Sequence, residues 1–387
     1  MSKKEYWSAS RIDVANYCRM RYYLKYIEHE KSARLSAYAK GSLLHEGIEH
    51  FWDRLGTEEE VAKKKNGKKY YDGESFSKYL QGKWLRTVIG SEHTKNPDQK
   101  IAWRFEGEQW VIKNSIPGIC MPLFEYIKEE GPPLFSELEF DFSLDSMRFK
   151  GYIDEVRIRD GKVVIRDFKS GSPFLGNMKV DNDPQLTFYN AGLCAKCFVD
   201  PNFSKTLGLE KVSSQFVGNP YFIYPEIEEE FFMIEALPKI RQAESESKKE
   251  APKKSDFANE EDYKEAIKRR DRILGNIPSV ILKTKRRDEH FYELIKMIKG
   301  AKEAVKVGDI YPERGRKCDI CDMKYACEKK LDQVTKPVMH DKKGHMLFDF
   351  MKAPYAGPVE VNPLSENSIK QRQKQFDYRR KEAWRGR

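Results

Sequence analysis

Hydrophobic and polar residues alternate along three neighbouring segments, which predicts β-strands at residues 134–144, 148–159 and 162–169. Successive side chains of a strand point to opposite faces, so this alternation is expected where one face is buried. Asp160 and Gly161 separate the last two segments. An Asp-Gly pair between two strands is typical of a two-residue turn, so we expect a β-hairpin here.

Apolar residues recur at intervals of three or four elsewhere in the chain, which predicts helices. The pattern is clear in residues 41–55, where Leu44, Ile48, Phe51 and Leu55 keep this spacing. Helices and strands together indicate an α/β chain. The other predicted elements are helices at 10–28, 76–131, 184–197 and much of 237–310, and one or two strands at 215–235.

The two-residue turn fixes the register of the predicted hairpin. Asp154 should then face Asp167, next to Lys169, on a face that is otherwise apolar. The Cβ atoms of directly opposed residues lie about 5 Å apart, and like charges so close together destabilise a sheet, more so when they are buried. The predicted pairs are Ile158–Val163, Val156–Ile165, Asp154–Asp167 and Tyr152–Lys169.

A divalent cation bound between the two aspartates would remove this repulsion. Carboxylate oxygens suit Mg²⁺ or Mn²⁺. Such a cation generates hydroxide from bound water and neutralises charge on a phosphodiester. Lys169 shares the face and is placed to orient the attacking water. The alternative is an ordinary salt bridge between Lys169 and one aspartate, which leaves the second carboxylate unexplained.

Composition and charge narrow the class of protein. Hydrophobic residues make up 39% of the 387 residues, enough for a substantial core. Because there is no run of about 18 apolar residues and no apolar signal segment, we expect no membrane span and a cytoplasmic location. The net charge of +10 suits a partner with many phosphates. Residues 369–387 hold eight Lys or Arg against two acids, which predicts a basic tail, or simply a solubilising terminus.

The chain contains seven cysteines, and three of them are clustered. An odd number without a secretory signal argues against a disulfide framework. Cys318, Cys321 and Cys327 place three thiolates within ten residues, and an iron–sulfur cluster or a tetrahedral zinc needs a fourth ligand. Cys194 and Cys197 could join the first two in a zinc site, or they could be buried core thiols.

Asp154, followed on the next strand by Asp167-x-Lys169, resembles the signature of the PD-(D/E)XK nuclease superfamily. Further segments are similar to its RecB-like branch and occur in the order found there. They are residues 8–26 with Cys18, Gly41…His45…Phe51, Gln185-x-x-x-Tyr189, and Cys318-x₂-Cys321-x₅-Cys327.

This resemblance implies a fold and a domain organisation. The fold is α/β, with a restriction-endonuclease-like core in which a small mixed β-sheet is flanked by helices. The nuclease domain would span residues 1–330, with helical insertions near 56–135 and 237–310. Residues 331–387 would form a basic C-terminal extension.

The resemblance also implies a metal site. Asp154, Asp167, His45 and the carbonyl of Phe168 would hold one or two Mg²⁺ or Mn²⁺ ions. Imidazole is a common ligand for divalent metals. The alternative for His45 is a helix histidine packed near the core.

Other residues would position the reactants in this scheme. Lys169 would position the nucleophile, and Gln185 and Tyr189 would position DNA beside the metal. Because these two are four residues apart, they project from one helix face, which could instead simply face the sheet. Glu137 and Glu139 on the preceding strand are both candidates to reach the site, and the sequence does not choose between them.

The cysteine pattern resembles the iron–sulfur staple of CRISPR-associated exonucleases and of the nuclease subunits of recombination helicase–nucleases. By this resemblance Cys18 is the fourth ligand of a [4Fe–4S] cluster with Cys318, Cys321 and Cys327. The cluster would join the N-terminal and C-terminal parts of the domain. Zinc is the alternative metal.

The function that the resemblance implies is metal-dependent hydrolysis of DNA, with exonuclease action on single-stranded ends. The process would be repair, recombination, or CRISPR-type or phage DNA processing. The candidate partners are DNA, a helicase and CRISPR adaptation proteins. The alternative is a non-catalytic, DNA-binding iron–sulfur scaffold protein.

Overall fold

A five-stranded mixed β-sheet separates two layers of helices in the computed structural model of the chain. The structure describes residues 6–32, 34–96, 99–171, 180–219, 221–313, 315, 318 and 321–335. The strands are β3 Phe135–Leu144, β4 Met147–Arg159, β5 Lys162–Lys169, β6 Glu228–Met233 and β7 Ile281–Thr284, with a separate parallel pair, β1 Arg34–Leu35 and β2 Ile101–Ala102. The five-stranded sheet has the order β3-β4-β5-β6-β7, and all its neighbours are antiparallel except the parallel pair β5 and β6.

Helices fill most of the remaining described chain. Among the described residues, no helix is both long enough and apolar enough to cross a bilayer. The helices are α1 Ala9–Tyr17, α2 Arg19–Tyr22, α3 Ser36–Glu49, α4 Phe51–Arg54, α5 Glu58–Ala62, α6 Gly73–His93, α7 Glu108–Glu130, α8 Pro184–Val199, α9 Pro201–Thr206, α10 Lys211–Gly218, α11 Ala236–Ser247, α12 Glu260–Gly275, α13 Asp288–Val307 and α14 Lys324–Thr335, with a π-helical turn at Tyr23–Ile27.

The hairpin predicted around residues 160 and 161 is confirmed. Asp160 and Gly161 both have positive φ angles, 52° and 75°, as this kind of two-residue turn requires. The pairs Ile158–Val163 and Val156–Ile165 form as predicted. The ladder continues only to Glu155–Arg166, so the predicted backbone pairings of Asp154 with Asp167 and of Tyr152 with Lys169 are wrong.

Other sequence predictions are confirmed only in part where an element is short or interrupted. The predicted helix 10–28 is broken at Cys18, whose backbone is extended between α1 and α2. Residues 215–235 contain one strand, β6, as predicted, and also the end of α10. The segment 237–310 contains β7 as well as the predicted helices. Of the predicted basic extension, everything beyond residue 335 lies outside the described residues.

Each face of the sheet packs against its own apolar core. On one face, Val156 and Ile165 pack with Leu186 and Phe188 of α8. On the other face, Phe168 packs with residues of α3, α6 and α7. Alternate residues of β5 therefore contribute to different cores, and both its faces are buried.

The alternation of side chains shifts once along β3 and β4, at the level of the catalytic candidates. Glu137 and Asp154 do not pair with each other, although the β3–β4 ladder continues on both sides of them. Glu137 has a φ of 49°. As a result Ile153 and Val156, three residues apart, pack into the same core. Tyr152 therefore lies on the outside with Glu139, away from Lys169.

A buried ion network joins helix α7 to the sheet face opposite the catalytic candidates. The Arg166 guanidinium is almost fully buried and donates to Glu230 and Glu130, both at 2.8 Å. Arg157 donates to the buried Glu155 at 2.7 Å. Removing one partner of such a network leaves an uncompensated buried charge, so its members constrain one another.

Helix α8 approaches the sheet closely because two glycines leave room for one aromatic ring. A Cβ atom on Gly192 would lie 2.5 Å from the Phe140 ring, and one on Gly151 would lie 2.7 Å from it. Both distances are too short for real contacts. Because glycine has no side chain, these two positions set how closely α8 packs on the sheet, and so how near its N-terminal part comes to the end of β5.

Candidate active site

Two acidic side chains meet where the β4–β5 ladder ends. The backbone N–H of Phe168 donates to Asp154 Oδ2 at 2.9 Å, so the Asp154 carboxylate replaces the missing backbone acceptor. Burial, and then the neighbouring Asp167, raise the pKa of Asp154 well above its usual range. The predicted proximity of the two acids is thus retained, although it arises where the strands separate.

Lys169 lies directly against this acidic pair. Its Nζ is 2.6 Å from Asp167 Oδ2, and it donates to Gln185 Oε1 at 2.5 Å. The ammonium also lies over the Phe231 ring, 4.5 Å from the centroid. Burial alone would lower the pKa of Lys169, but Asp167 and Asp183 raise it, so the ammonium stays charged at neutral pH.

Gln185 and Tyr189 project from one face of α8 toward Asp167. Gln185 Nε2 donates to Asp167 Oδ1 at 2.6 Å and to the Tyr189 hydroxyl at 2.7 Å. The helix begins as predicted, with Asp183 accepting from the Gln185 N–H and Pro184 in the first turn. A single amide therefore fixes the relative positions of Asp167 and Lys169.

His45 reaches the acids from helix α3. Its Nδ1 lies 3.5 Å from Asp154 Oδ2, and its ring meets the Phe168 ring edge-on. Burial lowers the pKa of His45, which leaves a neutral imidazole at neutral pH. A Cβ atom on Gly41 would lie 2.7 Å from Ser170 Oγ, so glycine allows α3 to approach the end of β5.

Glu137 is the further acid that the sequence left open. Burial, followed by Glu49 and Asp167, raises the pKa of Glu137 to about 7. Its charge also acts on Asp154. Glu139, the other candidate, is exposed and pairs with Lys150. Glu137 has a positive φ, and no pattern in the sequence predicts that angle.

The carboxylate oxygens and the imidazole nitrogen of the site are chemically suited to bind a divalent cation. Asp167 Oδ2 is buried and accepts no aligned hydrogen bond from the described residues, although the Lys169 ammonium is close. Carboxylates and a neutral imidazole are usual ligands for Mg²⁺ or Mn²⁺ and related metals. In the described part of the chain, however, no group of three or more His, Cys, Asp or Glu is arranged to hold a metal ion. Metal binding by His45, Asp154, Asp167 and the Phe168 carbonyl remains a prediction.

The cysteine-rich segment packs against the N-terminal helices. Cys18, Cys321 and Cys327 belong to a small apolar cluster with Met20 and Met323. Nearby, the buried guanidinium of Arg21 donates to Asp322 at 2.6 Å. The two ends of the domain are thus in contact at the place where the staple was predicted.

The described residues, Cys318 among them, form no group of three or more side chains arranged to hold an iron–sulfur centre. The Cys318 thiol is 3.9 Å from the Glu313 carbonyl oxygen. Cys318 and Cys321 both raise the pKa of Tyr17, though less than its burial does. The [4Fe–4S] ligand set is therefore still a prediction.

The zinc site built from two Cys-x₂-Cys pairs does not fit the packing. Cys194 and Cys197 are buried in the large core around α8, whereas Cys321 belongs to the separate cluster. Cys194 Sγ lies 3.3 Å from Asn190 Oδ1, and burial raises the pKa of the Cys197 thiol to about 11. Both are buried core thiols, the alternative that the sequence left open.

Glu137→Gly should be more stable than Glu137→Ala. Both changes remove the half-buried carboxyl, but of the two residues only glycine adopts a φ of 49° without a steric cost. We expect a difference of about 1 kcal/mol in the free energy of unfolding, measured with urea.

Glu139 provides the matched control on the same strand. Glu139 does not have a positive φ, so Glu139→Gly should be less stable than Glu139→Ala. The same order at both positions would contradict the assignment of strain to Glu137.

Comparison with known proteins agrees with the geometry. The family model of the PD-(D/E)XK nuclease superfamily matches residues 6–328. A comparison with curated proteins found no match. The family match spans Asp154, Asp167 and Lys169, together with the helices that surround them. The chain therefore belongs to the PD-(D/E)XK nuclease superfamily.

Proposed function

We propose that the protein is an Mg²⁺- or Mn²⁺-dependent deoxyribonuclease. Membership of a nuclease superfamily suggests metal-dependent hydrolysis. The observation that supports it most is the pair of buried carboxylates, Asp154 and Asp167, beside a charged lysine and a neutral histidine. Two like charges so close together are costly in a sheet, and a cation bound between the carboxylates would offset the cost.

Each residue has a separate task in this proposal. Asp154, Asp167, His45 and the carbonyl of Phe168 would hold the cation. The cation would supply a nucleophile from bound water and neutralise charge on the phosphodiester. Lys169, whose raised pKa keeps it protonated, would stabilise the negative charge that develops on the phosphate.

Gln185 and Tyr189 are positioning residues in the proposal. Gln185 bonds both Asp167 and Lys169, so it would hold the metal ligand and the ammonium in a fixed relation. Tyr189 is buried behind the amide and orients it. Their direct contact with DNA is an expectation from the RecB-like resemblance.

The finer assignments follow the same resemblance. We propose exonuclease action on single-stranded or other end-containing DNA, in repair, recombination, or CRISPR-type or phage DNA processing. A helicase or CRISPR adaptation proteins are the proposed partners, and the cytoplasm is the proposed location. The catalytic domain would cover residues 1–330, with 56–135 and 237–310 as insertions.

We also propose a [4Fe–4S] staple on Cys18, Cys318, Cys321 and Cys327. Its support is the packing of Cys18 with Cys321 and Cys327, and the ion pair of Arg21 with Asp322 next to them. The cluster would restrict the unfolded chain by closing a very long loop. Its proposed role is structural.

Asp167→Asn and Lys169→Met should each lower the rate of DNA cleavage by at least about 100-fold, because the first removes a charge that would hold the cation and the second removes the ammonium that would stabilise the reacting phosphate. The assay uses end-labelled linear strands, strands with blocked 5′ or 3′ ends, and circular single strands, with Mg²⁺ or Mn²⁺. An exonuclease should not cut circular strands. The blocked end that prevents cutting of a linear strand would identify the polarity.

The control for these variants is Glu139→Gln, an exposed carboxylate outside the site, which should cut at the wild-type rate. An Asp167→Asn protein as fast as wild type would end the assignment. Wild-type protein that binds DNA but cuts none of the substrates with either metal would favour the scaffold alternative.

Protein purified without oxygen should contain about four iron atoms and matching sulfide per chain. Cys321→Ser should lose them, because it removes a proposed ligand, and the brown absorbance should fall in parallel. Cys194→Ala, which changes a core thiol outside the cluster, should retain the iron. A sample with one zinc and no sulfide would contradict the staple.

A further inference from the structure

A pocket of about 690 Å³ lies beside the first half of helix α3. Its walls come from the π-helical turn, the loop that follows it, strand β1, helix α3 and the start of the cysteine-rich segment. The size is within the range of pockets that hold small ligands. Its lining combines aromatic rings with basic side chains.

Helix α3 connects this pocket to the candidate active site. Tyr38 and Ser42 line the pocket, and His45 lies against Asp154. Residues spaced by four and three lie on one helix face, so these three side chains form a continuous stripe. With a rise of about 1.5 Å per residue, Ser42 is one turn, and Tyr38 about two turns, from His45 along the axis. A strand bound at the acids would therefore reach the pocket within a nucleotide or two.

Arg34 places an uncompensated positive charge in the pocket. Its Nη2 donates to the Ser42 hydroxyl and to the Tyr38 carbonyl at 3.1 Å. No carboxylate among the described residues forms a salt bridge with it, and burial lowers its pKa without an acid to raise it again. Guanidinium has five N–H donors, so Nε and Nη1 remain to bind an anion such as a phosphate.

The other charged side chains of the pocket are largely engaged with each other. Lys25 pairs with Asp322 at 2.8 Å, and Asp322 also binds the buried Arg21. Glu30 and Lys31 add one charge of each sign to the lining. The net field of the pocket is therefore positive, with Arg34 as its unneutralised source.

Tyr38 presents an aromatic surface next to this charge. Tyr38 is 48% exposed, and it lines the pocket. Aromatic rings in this setting stack on the bases of single-stranded nucleic acids. Bases in a duplex are already stacked and do not offer a free face.

We propose that this pocket is a subsite for a nucleotide of single-stranded DNA next to the bond that is cut, with Arg34 binding a phosphate and Tyr38 stacking on the base. The subsite rests on the proposed function, because it assumes a DNA strand at Asp154 and Asp167. It gives the protein a physical reason to prefer single strands over duplex.

The test is equilibrium binding of fluorescent single-stranded and duplex DNA without divalent metal, so that cleavage does not contribute. Tyr38→Ala should weaken single-strand binding about 10-fold and leave duplex binding unchanged, and Tyr38→Phe should retain most of the affinity. Arg34→Ala should lower the slope of log affinity against log salt by about 0.7, the value for one phosphate contact on a single strand.

Matched controls lie on α13, which contributes no residue to the lining of the pocket. Tyr292, with 53% exposure, matches Tyr38, and the exposed Lys306 matches Arg34 in charge. Tyr292→Ala and Lys306→Ala should leave single-strand binding unchanged. Thermal unfolding of every variant checks that it is folded.

Several outcomes would overturn the subsite. These are wild-type affinity in Tyr38→Ala, equal losses for single strand and duplex, or an unchanged salt slope in Arg34→Ala. Competition by inorganic phosphate as strong as by a short oligonucleotide would show a simple anion site instead. If the variants behave as expected but the wild type never cuts DNA, the pocket is a binding site for single-stranded DNA and the proposed hydrolysis fails.

Discussion

The repulsion between Asp154 and Asp167 is the constraint around which the site is organised. Two carboxylates at the buried end of a hairpin would separate or take up protons if nothing compensated them. The protein keeps them together with a backbone N–H on Asp154, and with Lys169 and Gln185 on Asp167. This compensation is incomplete, because the pKa of Asp154 remains raised and Asp167 Oδ2 lacks an aligned hydrogen bond from the described residues. The remaining imbalance is what a cation would relieve.

The scaffold fixes this arrangement from three sides. Gly192 and Gly151 let α8 come close enough for Gln185 to reach the acids, and Gly41 does the same for α3 and His45. On the opposite face, the ion network around Arg166 holds β5 against α7. Close packing and buried ion pairs leave the acids little freedom to move apart.

The hairpin and helix α8 could be predicted because local residues determine them. Asp160-Gly161 defines the turn, and Asp183 with Pro184 defines the start of the helix. The end of the ladder at Glu155 could not be predicted, because it depends on the shift in alternation at Glu137, a positive φ that leaves no signature in the sequence. Strand β7 was missed for another reason. Its four residues are too few to show a period, and only pairing with β6 makes them a strand.

The candidate site residues were predicted from their motif, and the structure added what surrounds them. Glu137 could be assigned to the site only once its burial near Asp167 was known. The pocket next to Tyr38 depends on contacts between segments distant in the sequence, from the π-helical turn to Asp322. Such contacts are set by tertiary packing, which hydrophobic patterning does not resolve.

The most direct test of the cation between the acids is thermal unfolding with and without Mn²⁺, compared for wild type and Asp154→Asn. An ion that binds only the folded site raises the unfolding midpoint. The wild-type midpoint should rise with Mn²⁺, whereas Asp154→Asn, with one charge fewer, should be at least as stable as wild type without metal and should not respond to it. An equal rise in both proteins, or none in the wild type, would contradict the account.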